Sequence, residues 1–354
     1  MKSHAFVSAI FFGLVFSYSH AQNEHILSSD FKDRMDSILK EKNVPTVAIG
    51  LIENNEIVMT EVIGISKPIN NASSDLQFSV ASLTKPVSMM LALTLASNKT
   101  WNLDEPLAHY WIDPDVRGDT LAYQLTSRHV LSHQGGFTNW RSMNPDGKLV
   151  FDTGPGVAFR YSGEGYEYLR RAIENKFDQH FEYLVDSLVF KPLHLNHSFM
   201  KWPDQLDTLH YAGRFDLNGK KYPIEKAASA NAAASLITTI RDYTRFALAC
   251  LRGEGISTDL NKQIHTPQIM VTQVKDVGIG LSWVVLKNLT RNEYALMHTG
   301  SDPGIKTLIV LLPTSKRGLV VFTNGDNGNK VYEEVLREML DVGNEILLRM
   351  KKNS

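Results

Sequence analysis

The sequence predicts an α+β fold, an antiparallel sheet flanked by N- and C-terminal helices with a mostly helical lobe inserted between its strands. Three observations predict it. β-rich runs are confined to the two ends of the 354-residue chain, helical spacing dominates the middle, and an amphipathic helical pattern stands near each end.

Lys2, the apolar run Ala5 to Phe16 and the small-residue pattern Ser19-His20-Ala21 read as a signal peptide over residues 1–21. The run is too short to span a bilayer as a helix, so a periplasmic or secreted protein without a membrane span after cleavage is expected. The domain proper covers 22–350, with an α/β lobe at about 26–80 plus 270–350 and a helical lobe at about 81–269. Ser29 to Lys42 carries Phe31, Met35, Ile38 and Leu39 at helical spacing. Val47 to Ile52 and Ile57 to Ile63 flank the polar turn Glu53 to Glu56, as in a hairpin.

Helical patterns follow at Val87–Ala96, Glu164–Asn175, His180–Phe190 and Ile240–Leu251. Strand signals return at Ile279–Leu286, Tyr294–Met297, Thr307–Leu312 and Gly318–Thr323, and a last helix is expected over Val331–Met350. An active site between the two lobes is the natural expectation.

With 43% hydrophobic and 21% charged residues, the composition excludes a disordered, collagenous or coiled-coil protein. Lys plus Arg number 37 against 38 Asp plus Glu, which leaves no excess of positive charge for phosphates, so nucleic acid is not an expected partner. The lone Cys250 sits in the apolar run Phe246–Leu251 and reads as a buried hydrophobe.

The chain has no His-Glu-x-x-His and no Gly-x-Ser-x-Gly. Asp152-Thr153-Gly154 has the form of an aspartic-protease loop, but that chemistry needs two such carboxylates and no second copy exists. His129 and His133 are four apart, yet Gln134-Gly135-Gly136 ends any helix there, and no metal is expected. Ser-x-x-Lys occurs four times, at Ser29, Ser37, Ser82 and Ser198. Only Ser82 introduces a segment apolar almost all round, Val87 to Ala96. Pro86, tolerated near a first turn, sets the helix start close to Ser82. Lys85 then returns to the face of Ser82, where its amine can assist deprotonation while free N–H groups at the helix start stabilise an oxyanion. A Ser cap followed by a surface Lys fits the segment equally well.

Two later segments decide between these readings. Tyr161-Ser162-Gly163 lies on a Gly-rich loop opening a helix, and Met297-His298-Thr299-Gly300-Ser301 ends a strand. With Ser82-x-x-Lys85 and Val130-Leu-Ser-His-Gln-Gly-Gly136, the order resembles the serine β-lactamase and penicillin-binding-protein superfamily, specifically its class C β-lactamase-like branch, over about residues 30 to 345. The resemblance implies Ser82 as acyl-accepting nucleophile, Lys85 as proton-relay partner and Tyr161 as general base and acid, with its high intrinsic pKa lowered by the charge of Lys85. It also implies that His298, Thr299 and Gly300 line the substrate strand, that the N–H of Ser301 completes an oxyanion hole, and that no cofactor is needed.

Gly163 stands where the family often has Asn, and His298 replaces the lysine of Lys-Thr-Gly. Both departures favour an ester or a D-amino-acid peptide or amide over a β-lactam. A β-lactamase or D-Ala-D-Ala carboxypeptidase is the alternative enzyme, and a catalytically silent cell-wall-peptide binding protein the alternative of another class. His133 reads as a structural histidine bonded to backbone, and Trp140, Trp202 and Trp283 as either cleft or core residues.

Overall fold

The computed structural model describes residues 29–64, 73–271 and 274–351, so the expected signal peptide lies outside the described residues. Helix α1 (Ser29–Lys42) leads into the hairpin β1 (Thr46–Glu53) and β2 (Glu56–Gly64). The short strands β3 (Gln77–Ser79) and β4 (Ile237–Thr239) pair with each other. Between them lie α2 (Thr84–Ser97), α3 (Ser127–Leu131), α4 (Gly163–Phe177) and α5 (Phe181–Val185). After β4 come α6 (Ile240–Arg252) and α7 (Thr258–Ile264). The chain then forms β5 (Ile269–Met270), β6 (Val277–Ile279), β7 (Val284–Leu289), β8 (Glu293–Asp302), β9 (Ile305–Leu312) and β10 (Arg317–Thr323), and closes with α8 (Gly328–Met339) and α9 (Gly343–Lys351).

Eight strands form one antiparallel sheet in the order β2-β1-β10-β9-β8-β7-β6-β5. The two ends of the sequence meet where β1 pairs with β10. Alternation along β1 separates the faces. Val47, Ile49 and Leu51 join Phe31, Met35 and Leu39 of α1 and Val331, Val335 and Ile346 of the last two helices in one core. Ala48 and Ile52 face a second core with Phe322, Tyr243 and Phe246 and the helical segments. Each fully buried aliphatic or aromatic side chain here contributes about 1.5–3 kcal/mol. No described helix is long and apolar enough to cross a membrane.

Four expected elements differ. The helix expected over His180–Phe190 is an α-helix only over Phe181–Val185 and continues as a π-helical turn over Asp186–Phe190. The strand expected over Ile279–Leu286 is two strands, because the chain turns at Gly280–Trp283, where Ser282 adopts a left-handed φ of 69° and donates its N–H to the Leu131 carbonyl. The last helix is broken near Val342, since α9 crosses so close to α8 that a side chain at Gly343 would strike the Leu336 carbonyl. Strand β8 does not stop at Met297 but runs through His298–Ser301 to Asp302.

That extension positions the site. Pairing of β7 with β8 ends at Val284–Met297, so from His298 onward β8 is paired only with β9. Its other edge meets the turn that carries Ser82. Gly300 permits this approach, because a Cβ there would collide with the Val80 carbonyl and the Thr307 hydroxyl and reach 3.3 Å from the Ser82 nitrogen.

Candidate active site

Ser82 lies in the single 3-10 turn Ala81–Leu83 that runs directly into α2. Ala81 precedes it with φ 48°, a left-handed conformation unusual for a residue with a side chain. Its surroundings fix the turn. The Val80 carbonyl accepts from Thr307 Oγ1 at 3.0 Å, Thr84 Oγ1 donates to the Ala81 carbonyl at 2.6 Å, and the Tyr243 hydroxyl donates to the Leu83 carbonyl at 2.7 Å. Pro86 falls in the first turn of α2, where the N–H it lacks would have had no helical partner.

Lys85 is 1% exposed. Its Nζ donates to Ser82 Oγ at 3.1 Å and to the Ala233 carbonyl at 3.1 Å, two uncharged partners. An ammonium removed from water without a paired carboxylate loses its proton readily. Burial accordingly lowers Lys85 from 10.5 to about 7, opposed by the negative charge of Glu167.

Tyr161 lies just ahead of α4 with its ring 4.7 Å from Lys85 Nζ and its hydroxyl bonded to Ser82. Burial pushes this phenol up to about 12, opposed by the bond to Ser82. The sequence-based expectation that the charge of Lys85 would hold Tyr161 down is therefore reversed. Burial acts on both groups, disfavouring the phenolate and favouring the free amine, so at neutral pH Lys85 is the more available base.

His298 is buried on β8, its ring centroid 6.5 Å from that of Tyr161. Its Nδ1 donates to the Thr299 carbonyl at 2.8 Å, since a carbonyl only accepts, and Nε2 is left as a bare acceptor. Burial and then the charge of Lys85 push its pKa down to about 3, with the Thr299 bond opposing them. Thr299 is half-buried and Ser301 exposed, its hydroxyl accepting from Lys306 Nζ at 2.8 Å.

Gly163 opens α4. Its N–H donates to Asn139 Oδ1 at 2.9 Å and to the Asn139 carbonyl at 3.0 Å, so neither a side chain nor a free donor remains for a substrate. A Cβ at 163 would lie 2.5–2.9 Å from three ring carbons of Trp140. The indole thus fills the space that a larger residue would need. It also lines a cavity of about 600 Å³ with Trp111, Arg141, Glu167, Arg170 and Asn231.

The structure brings Ser82, Lys85, Tyr161, His298 and Gly300 into one constellation. His133 accepts the Ser162 N–H on Nδ1 at 3.2 Å and holds its ring 4.3 Å from that of Tyr161. His129 accepts the Thr126 N–H at 3.3 Å in a capping box. Trp283 is buried core, and Trp202 packs with Tyr211. Sequence reasoning missed the Ala233 carbonyl and Glu167. A backbone carbonyl has no signature, and for Glu167 the only signal is its place one turn after Gly163 on α4.

The chain is 21% identical over 324 residues to Protein flp of Staphylococcus aureus, and 20% identical over 293 residues to Penicillin-binding protein 4* of Bacillus subtilis. These matches cover 84% and 73% of this chain but 64% and 63% of those proteins, so the chain spans under two thirds of their length. Among solved structures, a class C β-lactamase superposes with TM-score 0.70 at 18% identity, covering 86% of this chain and 94% of that one. A D-stereospecific amidohydrolase from Streptomyces sp. gives 0.69 at 18% identity over 86% and 98%. The fold is thus that of the β-lactamase and transpeptidase proteins. The Beta-lactamase family model matches residues 30–344, and the chain belongs to that family.

Proposed function

We propose that the protein is a serine hydrolase that cleaves an ester or a peptide or amide bond through an acyl-enzyme on Ser82. The observation that carries this is the buried Lys85 amine, lowered to about 7 and bonded to the Ser82 hydroxyl. Neutral Lys85 takes the Ser82 proton as Oγ attacks the carbonyl, and the N–H groups of Ser82 and Ser301 stabilise the oxyanion. As the bond to the leaving group breaks, the Tyr161 hydroxyl protonates that group and is reprotonated from Lys85. Water then attacks the acyl-enzyme by the same route in reverse and frees Ser82.

The substrate class follows from what surrounds these groups. Neutral His298 offers no cation to a substrate carboxylate, and the Trp140 indole occupies the space beside Gly163 where an amide-binding side chain would stand. Both favour a simple ester or a D-amino-acid amide over a β-lactam. The retained Ser82, Lys85 and Tyr161 argue against the silent binding protein. We also propose a periplasmic or secreted location, from the pattern of residues 1–21.

Hydrolysis of short p-nitrophenyl esters, D-amino-acid p-nitroanilides and nitrocefin by the wild type and Ser82→Ala tests this reading. Ester or D-anilide turnover exceeding that of nitrocefin, lost in Ser82→Ala, is expected. Faster nitrocefin turnover would point to a β-lactamase, and activity surviving Ser82→Ala would overturn the nucleophile.

A further inference from the structure

Glu167 lies on α4 one turn beyond Gly163, outside the motif segments that carry the family resemblance. Its Oε1 accepts the Ala232 N–H at 2.7 Å, and the next residue, Ala233, supplies the carbonyl that accepts from Lys85 Nζ. The same short loop is fastened by Ser88 Oγ to the Ala232 carbonyl at 2.6 Å and by the Ala233 N–H to Asn231 Oδ1 at 2.9 Å. Glu167 and Ser88 therefore both hold the Ala232 peptide from outside the loop, next to the carbonyl that aims the Lys85 amine.

Among the described residues Glu167 is also the anionic group whose charge acts on that amine. The rings of Tyr161 and Tyr166 lie 4.7 and 5.6 Å from Nζ. His133, from the Gly-rich loop, and His298, from β8, are both held neutral by burial and by the amine itself. Residues 231–235 carry no charge, and nor do positions 82–88 apart from Lys85. Behind Glu167, Arg170 bonds both of its oxygens at 2.9–3.1 Å and also Glu174 at 2.8 Å, which holds the carboxylate in place.

Resting on the serine-hydrolase reading above, we infer that Glu167 is a positioning residue that aims Lys85 through the Ala232–Ala233 peptide and sets the pH at which the amine becomes free. The two actions separate by substitution. Glu167→Gln keeps an oxygen for the Ala232 N–H but removes the charge, Glu167→Asp keeps the charge but shortens the reach, and Glu167→Ala removes both.

The test is the rate of fluorophosphonate labelling of Ser82 across pH 5–9 in the full chain, read by intact mass, with Ser82→Ala as reference. A lost negative charge makes the ammonium less stable, so in Glu167→Gln the acid limb moves down by about 0.5 pH unit or more. In Glu167→Asp the limb stays put while the plateau falls, because the bond to Ala232 is strained or lost. Glu167→Ala shows both effects, with a plateau at least about tenfold lower. A limb that does not move in Glu167→Gln, or one that moves equally in Glu167→Asp, overturns the inference. Labelling that persists in Ser82→Ala instead overturns the serine-hydrolase reading itself.

Discussion

Replacing Lys85 with Met is expected to abolish turnover and yet stabilise the fold at neutral pH. The two side chains are of similar length and unbranched, and the site is 1% exposed. Moving the amine's titration from 10.5 to about 7 costs the folded state about 4 kcal/mol at pH 7, at about 1.4 kcal/mol for each tenfold change. Against this, Met forfeits the bonds to Ser82 Oγ and the Ala233 carbonyl, worth about 1 kcal/mol each. The net gain is about 2 kcal/mol. The sign follows from proton counting. Between pH 7 and 10.5 the unfolded chain holds a proton on Lys85 that the folded protein does not, so wild-type stability rises with pH across that window and is flat below it. The advantage of Met is therefore full below pH 7, shrinks by about 1.4 kcal/mol per pH unit above it, and vanishes near pH 9. Urea unfolding of both proteins at pH 6, 7, 8.5 and 9.5 measures this. A Met variant that is less stable at pH 6–7, or a difference that does not change with pH, would refute a neutral, desolvated Lys85.

Two further outcomes follow from the same geometry. The neutral fraction of Lys85 rises from about a tenth at pH 6 to about nine tenths at pH 8, so kcat/KM should rise about tenfold between them, and a profile flat across pH 7 argues against the amine as base. Gly163→Asn forces a side chain into the Trp140 indole and should cost about 1–3 kcal/mol, a loss of several degrees in Tm that Trp140→Gly in the same chain restores. Equal melting of wild type and Gly163→Asn would show that the indole is not held there.

The pieces of the site that were legible in the sequence are those whose position follows from local chemistry. Pro86 and the apolar run behind it put Ser82 and Lys85 at a buried helix start, and the two terminal helices and the hairpins declare an antiparallel sheet flanked by those helices. What escaped depends on contacts between distant segments. The basicities of Lys85 and Tyr161 are set by how deeply the folded chain buries them, and burial reversed the expected order. The tautomer of His298 depends on the carbonyl of its neighbour in an extended strand, and Gly163 gains its meaning from Trp140, 23 positions earlier in the chain. Likewise, the break before Gly343 reflects the close crossing of α9 over α8, which helical periodicity alone does not encode.

The most direct test of Ser82 activated by a neutral Lys85 is intact-protein mass spectrometry after exposure to a fluorophosphonate at pH 6 and pH 8, on wild type, Ser82→Ala and Lys85→Met. A single adduct mapping to Ser82, forming about tenfold faster at pH 8, absent from Ser82→Ala and strongly slowed in Lys85→Met, is the predicted result. No adduct on folded wild type, or an equal adduct on Ser82→Ala, would contradict it.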